Sequence, residues 1–557
     1  MPEPDVSRLT RRLTVASIGV AVTWAVLLLV WEEGPFALTF DDAFYYFDIA
    51  RNLAEGNGST FDGLNSTNGY HPLWMAVCVV PYLLGLDDMA AVRALLVFQV
   101  ACYGGALVVI ASAVTRSAAG WPKISDDDRP DAAAGRTRIE WTVVAAWVLL
   151  VGNPYVLKIF VNGLESGISV LLYALLLVRF LAPNPRSVVV GTTARWQLGT
   201  GLLLAVVFLA RTDAIFAVGV LGLWSLAELR RTPAGAVASL ARVFGPTAVC
   251  LVLYVASNLA WFDTPLQVSG LHKRAELDAL RLGIVAITGG LAVLVGVRTW
   301  RRAHPAGKRR RSRFPRVSDL TARTGWFASF CLVLVAYYNG LQTQQWLWYY
   351  APIGVLLLFV VPMAVADMGE GALAESPTSQ SAGRAMVPVQ AILLVPLVLA
   401  LAVQVPRFTD PDLRSIQLAN RSAGRWIADE LPADAVLASW DAGVVGYFAD
   451  RPVVNIDGVV NSYEFYEATQ AGSVGDFLAA DGVGYLVNHG QDDDGEDLFI
   501  RPWLTRTFDE ATAVGARVVH RQPFAYSGTT TGSGGRQSGS DSMAVFVYEL
   551  PQPLPAG

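Results

Sequence analysis

Two adjacent carboxylates, Asp41 and Asp42, stand where an apolar run gives way to a stretch crowded with aromatics, Phe40-Asp41-Asp42-Ala43-Phe44-Tyr45-Tyr46-Phe47-Asp48-Ile49-Ala50-Arg51-Asn52-Leu53. Charge so near a hydrocarbon segment is costly, which makes ionisable groups there functional candidates by default. A carboxylate in that position suits general base chemistry, taking a proton from a hydroxyl as its oxygen attacks carbon. The same pair could instead cap the helix that follows, since aspartate is a favoured N-cap. Further along the same loop, Thr67-Asn68-Gly69-Tyr70-His71-Pro72-Leu73-Trp74 adds a phenol and an imidazole, Tyr70 and His71. Glu165 sits in Val161-Asn162-Gly163-Leu164-Glu165-Ser166, as a site carboxylate or as part of a solvated turn. Arg211-Thr212-Asp213 joins two short apolar runs and could be a self-satisfied ion pair or part of a site. The stretch 265–273 ends in His272 and Lys273. A lysine is a compact point charge suited to phosphate, although a lysine at a helix end also snorkels. Trp346-Leu347-Trp348-Tyr349-Tyr350 reads best as an interfacial aromatic belt, with stacking on a ligand as the alternative.

Membrane helices must position these groups. Of 557 residues, 53% are hydrophobic and only 16% charged, against roughly a quarter charged in soluble domains. The apolar residues come in long runs, at 14–30, 141–157, 243–261, 351–366 and 387–405. Each approaches or reaches the ~20 residues a helix needs to cross ~30 Å of hydrocarbon. Arg8, Arg11 and Arg12 precede the first run, and Trp31-Glu32-Glu33 follows it in place of a small-residue cleavage site. That pattern is a retained signal anchor. The four cysteines, Cys78, Cys102, Cys250 and Cys331, lie in apolar segments without metal spacing and imply no disulfide framework. The net charge of −5 is unevenly placed and points to no nucleic-acid partner.

Cytoplasmic loops retain Lys and Arg, which places 8–12, 116–138, 186–195, 230–231 and 308–316 inside. The loops at 162–165, 211–213 and 265–273, and the long first loop at 32–72, then lie outside. The apolar stretch 73–86 is too short for a span and reads as interfacial. About eleven spans result, with an exterior C-terminus in the cell membrane. Asp41, Asp42, His71, Glu165, Asp213, His272 and Lys273 then all reach one membrane face. Residues 1–405 form the membrane domain. From 406 to 557 the pattern changes to alternating helix and strand, with a helix at 415–430 and strands at 435–439, 452–456, 484–488 and 543–548. That is a small α/β domain, with a polar linker at 367–384 before it and a Gly/Ser/Thr loop at 527–542 within it. The aromatic-rich helix of the first loop is expected to lie in the interface with its rings toward lipid.

The first loop resembles that of the GT-C glycosyltransferases, the membrane superfamily of protein O-mannosyltransferases, aminoarabinose transferases and oligosaccharyltransferase catalytic subunits. Matched by its Ile49-Ala50-Arg51-Asn52-Leu53 end, the helix puts the family's catalytic aspartate on Asp42, with Asp41 beside it. Asn68-Gly69-Tyr70-His71-Pro72-Leu73-Trp74 is similar to the later part of the same loop, and the Glu165 segment resembles the second acidic motif. The resemblance implies a polytopic α-helical GT-C fold and inverting transfer of one sugar, such as mannose, from a polyprenyl- or dolichyl-phosphate carrier. The acceptor would be a glycan, lipid or protein. It implies Asp42 as base, and with a lipid-phosphate donor the cationic and imidazole groups Lys273, His71 and His272 are the candidates for the carrier phosphate. Glu165, Arg211 and Asp213 would then hold acceptor or donor. Asp42 and Glu165 could share a divalent cation, Mg²⁺ or Mn²⁺, though the resemblance does not require one. Trp440-Asp441-Ala442-Gly443 resembles the oligosaccharyltransferase motif that reads the acceptor, but Ser439 and Ala442 replace two of its aromatics. En bloc glycan transfer is therefore the weaker reading. A transporter of lipid-linked sugars is the rival of another class; it would show inverted repeats around a midplane site, and the motifs here lie in loops.

Overall fold

A computed structural model describes residues 4–554 except 87, 119–129, 182–191, 230–235, 304–314, 375–378, 411–413, 494–495, 498–499 and 526–541. The Gly/Ser/Thr loop expected at 527–542 lies almost wholly outside the described residues, as do the basic stretch 230–231 and most of 308–316. Five described helices are long and apolar enough to cross a membrane, or six if the bent pair Glu140–Val151 and Pro154–Phe160 is one span. Six shorter apolar helices accompany them, among them Pro72–Leu83, Ser166–Leu181 and Ala194–Ala210. The protein is a multi-pass membrane protein.

The helices Val237–Phe262 and Ala279–Thr299 bury little of their surface. They expose Val252, Leu253 and Trp261 on one and Leu280, Ile287 and Val293 on the other. Such faces are unstable in water and at ease in lipid. The Ala279–Ala303 helix packs antiparallel on Pro315–Leu341. Glycines permit that approach: a Cβ on Gly340 would come within 2.2 Å of Val285, and one on Gly325 within 2.2 Å of Thr299. Small residues at such crossings let helix backbones meet closely. The stretch 367–384 is helical on both sides of 375–378, so the polar residues extend two helices (Ala351–Ala374 and Ser379–Thr409) where a linker was expected.

The C-terminal unit is a mixed sheet of β1 (Leu437–Ser439), β2 (Val453–Asn455), β3 (Tyr485–Asp493), β4 (Glu496–Asp497), β5 (Arg517–Ala525) and β6 (Ser542–Glu549). Its order is β2-β1-β3-β6-β5, with β4 paired to β3. β1 runs parallel to β2 and β3, while β6 is antiparallel to β3 and β5. Alternate residues serve opposite faces, as the pleat requires. Leu437, Val453, Val487, Val545 and Val547 join the core continuous with the membrane helices. Ala438, Val454, Leu486, Phe546 and Tyr548 build a second core beyond the sheet.

Candidate active site

The Asp41–Glu55 helix begins after Phe40, an extended residue with φ −107° and ψ 164° and no side-chain cap. Neither aspartate caps it. Asp41 instead reaches across to the C-terminal unit, where its two carboxylate oxygens accept the Gly443 and Val444 N–H groups at 2.8 and 2.9 Å. Those groups open the Ala442–Ala449 helix, whose N-terminal end carries partial positive charge. The aromatics of the Asp41–Glu55 helix are buried rather than turned to lipid. Phe44 stacks on Phe36 and meets Tyr447 edge-on. The C-terminal helix lies over them and takes the place the bilayer was expected to fill.

Asp42 faces a cavity of about 600 Å³. Its wall is the loop before the Ser166–Leu181 helix. Gly163, at φ +83°, lets that loop pass so close that a Cβ would fall 2.5 Å from Ala43. Gln99 accepts the Asn162 and Gly163 N–H groups at 3.1 and 2.9 Å and donates to the Leu164 carbonyl. Trp74 donates to the Gly163 carbonyl at 3.1 Å. So held, Glu165 points inward and is buried. It accepts from the Tyr46 hydroxyl at 3.3 Å and pairs with Arg211, itself only 2% exposed. Arg211 also pairs with Asp213 at 2.8 Å and donates to the Tyr338 hydroxyl at 3.0 Å. A buried arginine bound by two carboxylates is a rigid wall, because removing any partner would strand a charge.

His71 sits beside this network, its Nε2 3.8 Å from Glu165. Its Nδ1 accepts the Thr212 N–H at 3.3 Å. Burial pushes the imidazole below its ordinary pKa, against the pull of Glu165, so it is neutral with its proton on Nε2. Lys273 and Arg274 bring two cations to the lining. Lys273 donates to the Tyr349 hydroxyl at 3.2 Å and has no ion-pair partner among the described residues. Burial works against its ammonium, but Tyr349, Asp42 and Asp457 outweigh this and hold its pKa above the lysine value. Burial also raises Asp42, Lys273 pulls it back, and Asp441 and Glu165 push it further up. Phe208, Ile215, Phe216, Leu251, Val255 and Leu277 add apolar side chains to the same lining.

Asp42, His71, Glu165, Arg211, Asp213 and Lys273 therefore share one cavity. Three candidates face elsewhere. Asp41 docks the C-terminal helix. The Tyr70 hydroxyl bonds to Ser59 at 2.7 Å, while its carbonyl accepts from Gln267. The His272 ring packs edge-on to Tyr466, and burial followed by the charge of Lys273 lowers its pKa to about 4. Trp348 and Tyr349 leave the expected belt and line the cavity, and only the neighbouring Trp346 and Leu347 are exposed. Tyr338, Gln267 and Asp457 carried no motif that marked them in the sequence. Glu165 is held by Arg211 and Tyr46. Among the described residues no group of three or more His, Cys, Asp or Glu side chains is set to hold a metal.

Residues 411–540 match the family described as Domain of unknown function (DUF8728). No curated protein matches the sequence. Among solved structures, the chain is similar to ArnT from Cupriavidus metallidurans bound to undecaprenyl phosphate, with a TM-score of 0.50 and 14% identity. The likeness covers 96% of this chain and 97% of that one. It is also similar to the Archaeoglobus fulgidus oligosaccharyltransferase in its apo form, with a TM-score of 0.47 and 11% identity over 94% of this chain and 74% of that one. The first likeness carries the assignment, and it concerns the fold: the chain has the GT-C architecture over most of its length.

Proposed function

We propose that this GT-C protein is an inverting glycosyltransferase that moves one sugar, such as mannose, from a polyprenyl- or dolichyl-phosphate carrier to a glycan, lipid or protein. In this reading residues 1–405 form the catalytic membrane domain, which crosses the plasma membrane about eleven times. Residues 406–557 and the cavity lie on the exterior face. One observation carries the proposal: a single cavity is lined both by a row of apolar side chains and by Asp42 and Lys273, whose charges act on each other. A polyprenyl chain suits the apolar side chains and its phosphate suits the lysine. Asp42 then takes the acceptor hydroxyl's proton as the anomeric carbon is attacked. Lys273 steadies the phosphate as it leaves, and Arg211 keeps Glu165 and Asp213 fixed as the wall. No step is routed through a metal.

The test is direct. Purified protein in lipid is incubated with a panel of radiolabelled polyprenyl-phosphate sugars and membrane extract. Label should pass from one of these donors to an acceptor, and no transfer from any donor sinks the proposal.

A further inference from the structure

The turn after β2 carries a carboxylate that this mechanism leaves unused. Ile456-Asp457-Gly458-Val459-Val460 runs over the cavity, and Val459 and Val460 help to line it. Two glycines lock the turn in place. Gly458 has φ +81°, and a Cβ on it would lie 2.4 Å from the His272 ring; a Cβ on Gly69 would lie 2.2 Å from the Val459 carbonyl oxygen. Within the turn, the Val459 N–H donates to Asp457 Oδ1 at 2.8 Å. The Tyr45 hydroxyl bonds to Asp457 Oδ2 at 3.1 Å and accepts from Asn455 Nδ2 at the same distance. Tyr45 belongs to the helix that presents Asp42. Asp457 is half-buried, and among the described residues no cation pairs with it. Burial raises its pKa to about 7, with Asp42 pushing it up and Lys273 pulling it down, so it lies within electrostatic reach of both. Each of its oxygens has one partner here, although a carboxylate has about four acceptor positions.

We propose that Asp457 binds the sugar of the lipid-linked donor, accepting a hydrogen bond from one of its hydroxyls. The inference rests on the donor reading above. With the carrier phosphate at Lys273 and the anomeric carbon at Asp42, the sugar lies under this turn. It gives the C-terminal unit a part in choosing the sugar. A carboxylate built to accept a hydroxyl rejects a sugar that lacks it, because the acceptor is then left unpaired. The full chain in nanodiscs is titrated with bare polyprenyl phosphate and with polyprenyl-phosphate sugars. Asp457→Asn should weaken the preferred sugar-bearing carrier about 10- to 100-fold, the range of a hydrogen bond to a charged group. Bare polyprenyl phosphate should change by less than about threefold, whereas Lys273→Ala should weaken both ligands. Equal loss of both ligands in Asp457→Asn, or loss of neither, overturns the proposal. If Asp457→Asn melts early, Tyr45→Phe removes the hydroxyl that holds Asp457 and should give the same split; equal effects there overturn it as well. Wild-type protein that binds no polyprenyl phosphate at all defeats the donor reading instead, a failure distinct from the loss of the split.

Discussion

Asp42 and Lys273 set each other's protonation, and that coupling makes the mechanism testable one residue at a time. Asn keeps the shape of Asp42 but cannot accept a proton. Asp42→Asn should therefore lower kcat by about 10²- to 10⁴-fold, the usual share of general base catalysis, with little change in melting temperature. Full activity in steady-state assays of this variant would remove Asp42 from the chemistry. In the proposed reaction Lys273 contacts the carrier before chemistry begins, so Lys273→Ala should chiefly raise the donor KM. It should also move the acid limb of the rate profile. Burial holds the Asp42 pKa above the ordinary carboxylate range, and Lys273 pulls it down. The base works only when ionised, so the limb begins at higher pH than for a free carboxylate. Loss of Lys273 raises that pKa again and shifts the limb to still higher pH. Both residues were visible in the sequence as ionisable groups beside apolar runs. Tyr338 and Asp457 were not, because a tyrosine in an apolar helix and an aspartate before a glycine read as core and turn. Only the folded chain shows what they face.

The elements divide the acidic pair between two tasks. The Asp41–Glu55 helix directs Asp42 into the cavity and Asp41 to the N-terminus of the Ala442–Ala449 helix. Asp41→Asn keeps one acceptor but loses one of the two bonds from the Gly443 and Val444 N–H groups. A hydrogen bond contributes about 0.5–1.5 kcal/mol, so the C-terminal unit should dock less tightly. Limited proteolysis should cut that unit faster than in the wild type, while kcat falls less than in Asp42→Asn. A larger kcat loss in Asp41→Asn than in Asp42→Asn would mean that the catalytic motif is assigned one residue out. Periodicity alone marks the small α/β unit, including a strand near each of β1, β2, β3 and β6. It missed β5, the stretch Arg517–Ala525, whose alternation is broken by charged and polar residues and a register shift between Val518 and His520. It also turned the aromatic helix the wrong way. An apolar face looks the same whether lipid or another domain will cover it.

Across the whole molecule, the proposed reaction requires the cavity and the C-terminal unit to share one side of the membrane, with the basic loops on the other. Contact between the two decides half of this. The Val268–His272 helix packs on Tyr463–Ala471, and the Asp457 turn roofs the cavity, so both must lie on one face. The other half rests on the Ala194–Ala210 helix, which ends at the site residue Arg211 and begins beside Arg195. Its 17 residues rise about 25 Å at 1.5 Å each, near the lower limit for a span. A helix lying along the interface would leave both ends on one side. Cysteines at the exposed positions Glu276, Glu467 and Arg195 separate these arrangements. Cys250 is first replaced by alanine, since it is the one native cysteine not buried. An impermeant thiol reagent applied from outside should then label Glu276→Cys and Glu467→Cys but leave Arg195→Cys unmodified until the membrane is opened. Labelling of Arg195→Cys together with Glu276→Cys in sealed cells would mean that the helix does not cross, and the charge-based topology would fail with it. Protection of Glu276→Cys and Glu467→Cys, with Arg195→Cys labelled, would invert the protein and place the cavity on the cytoplasmic face.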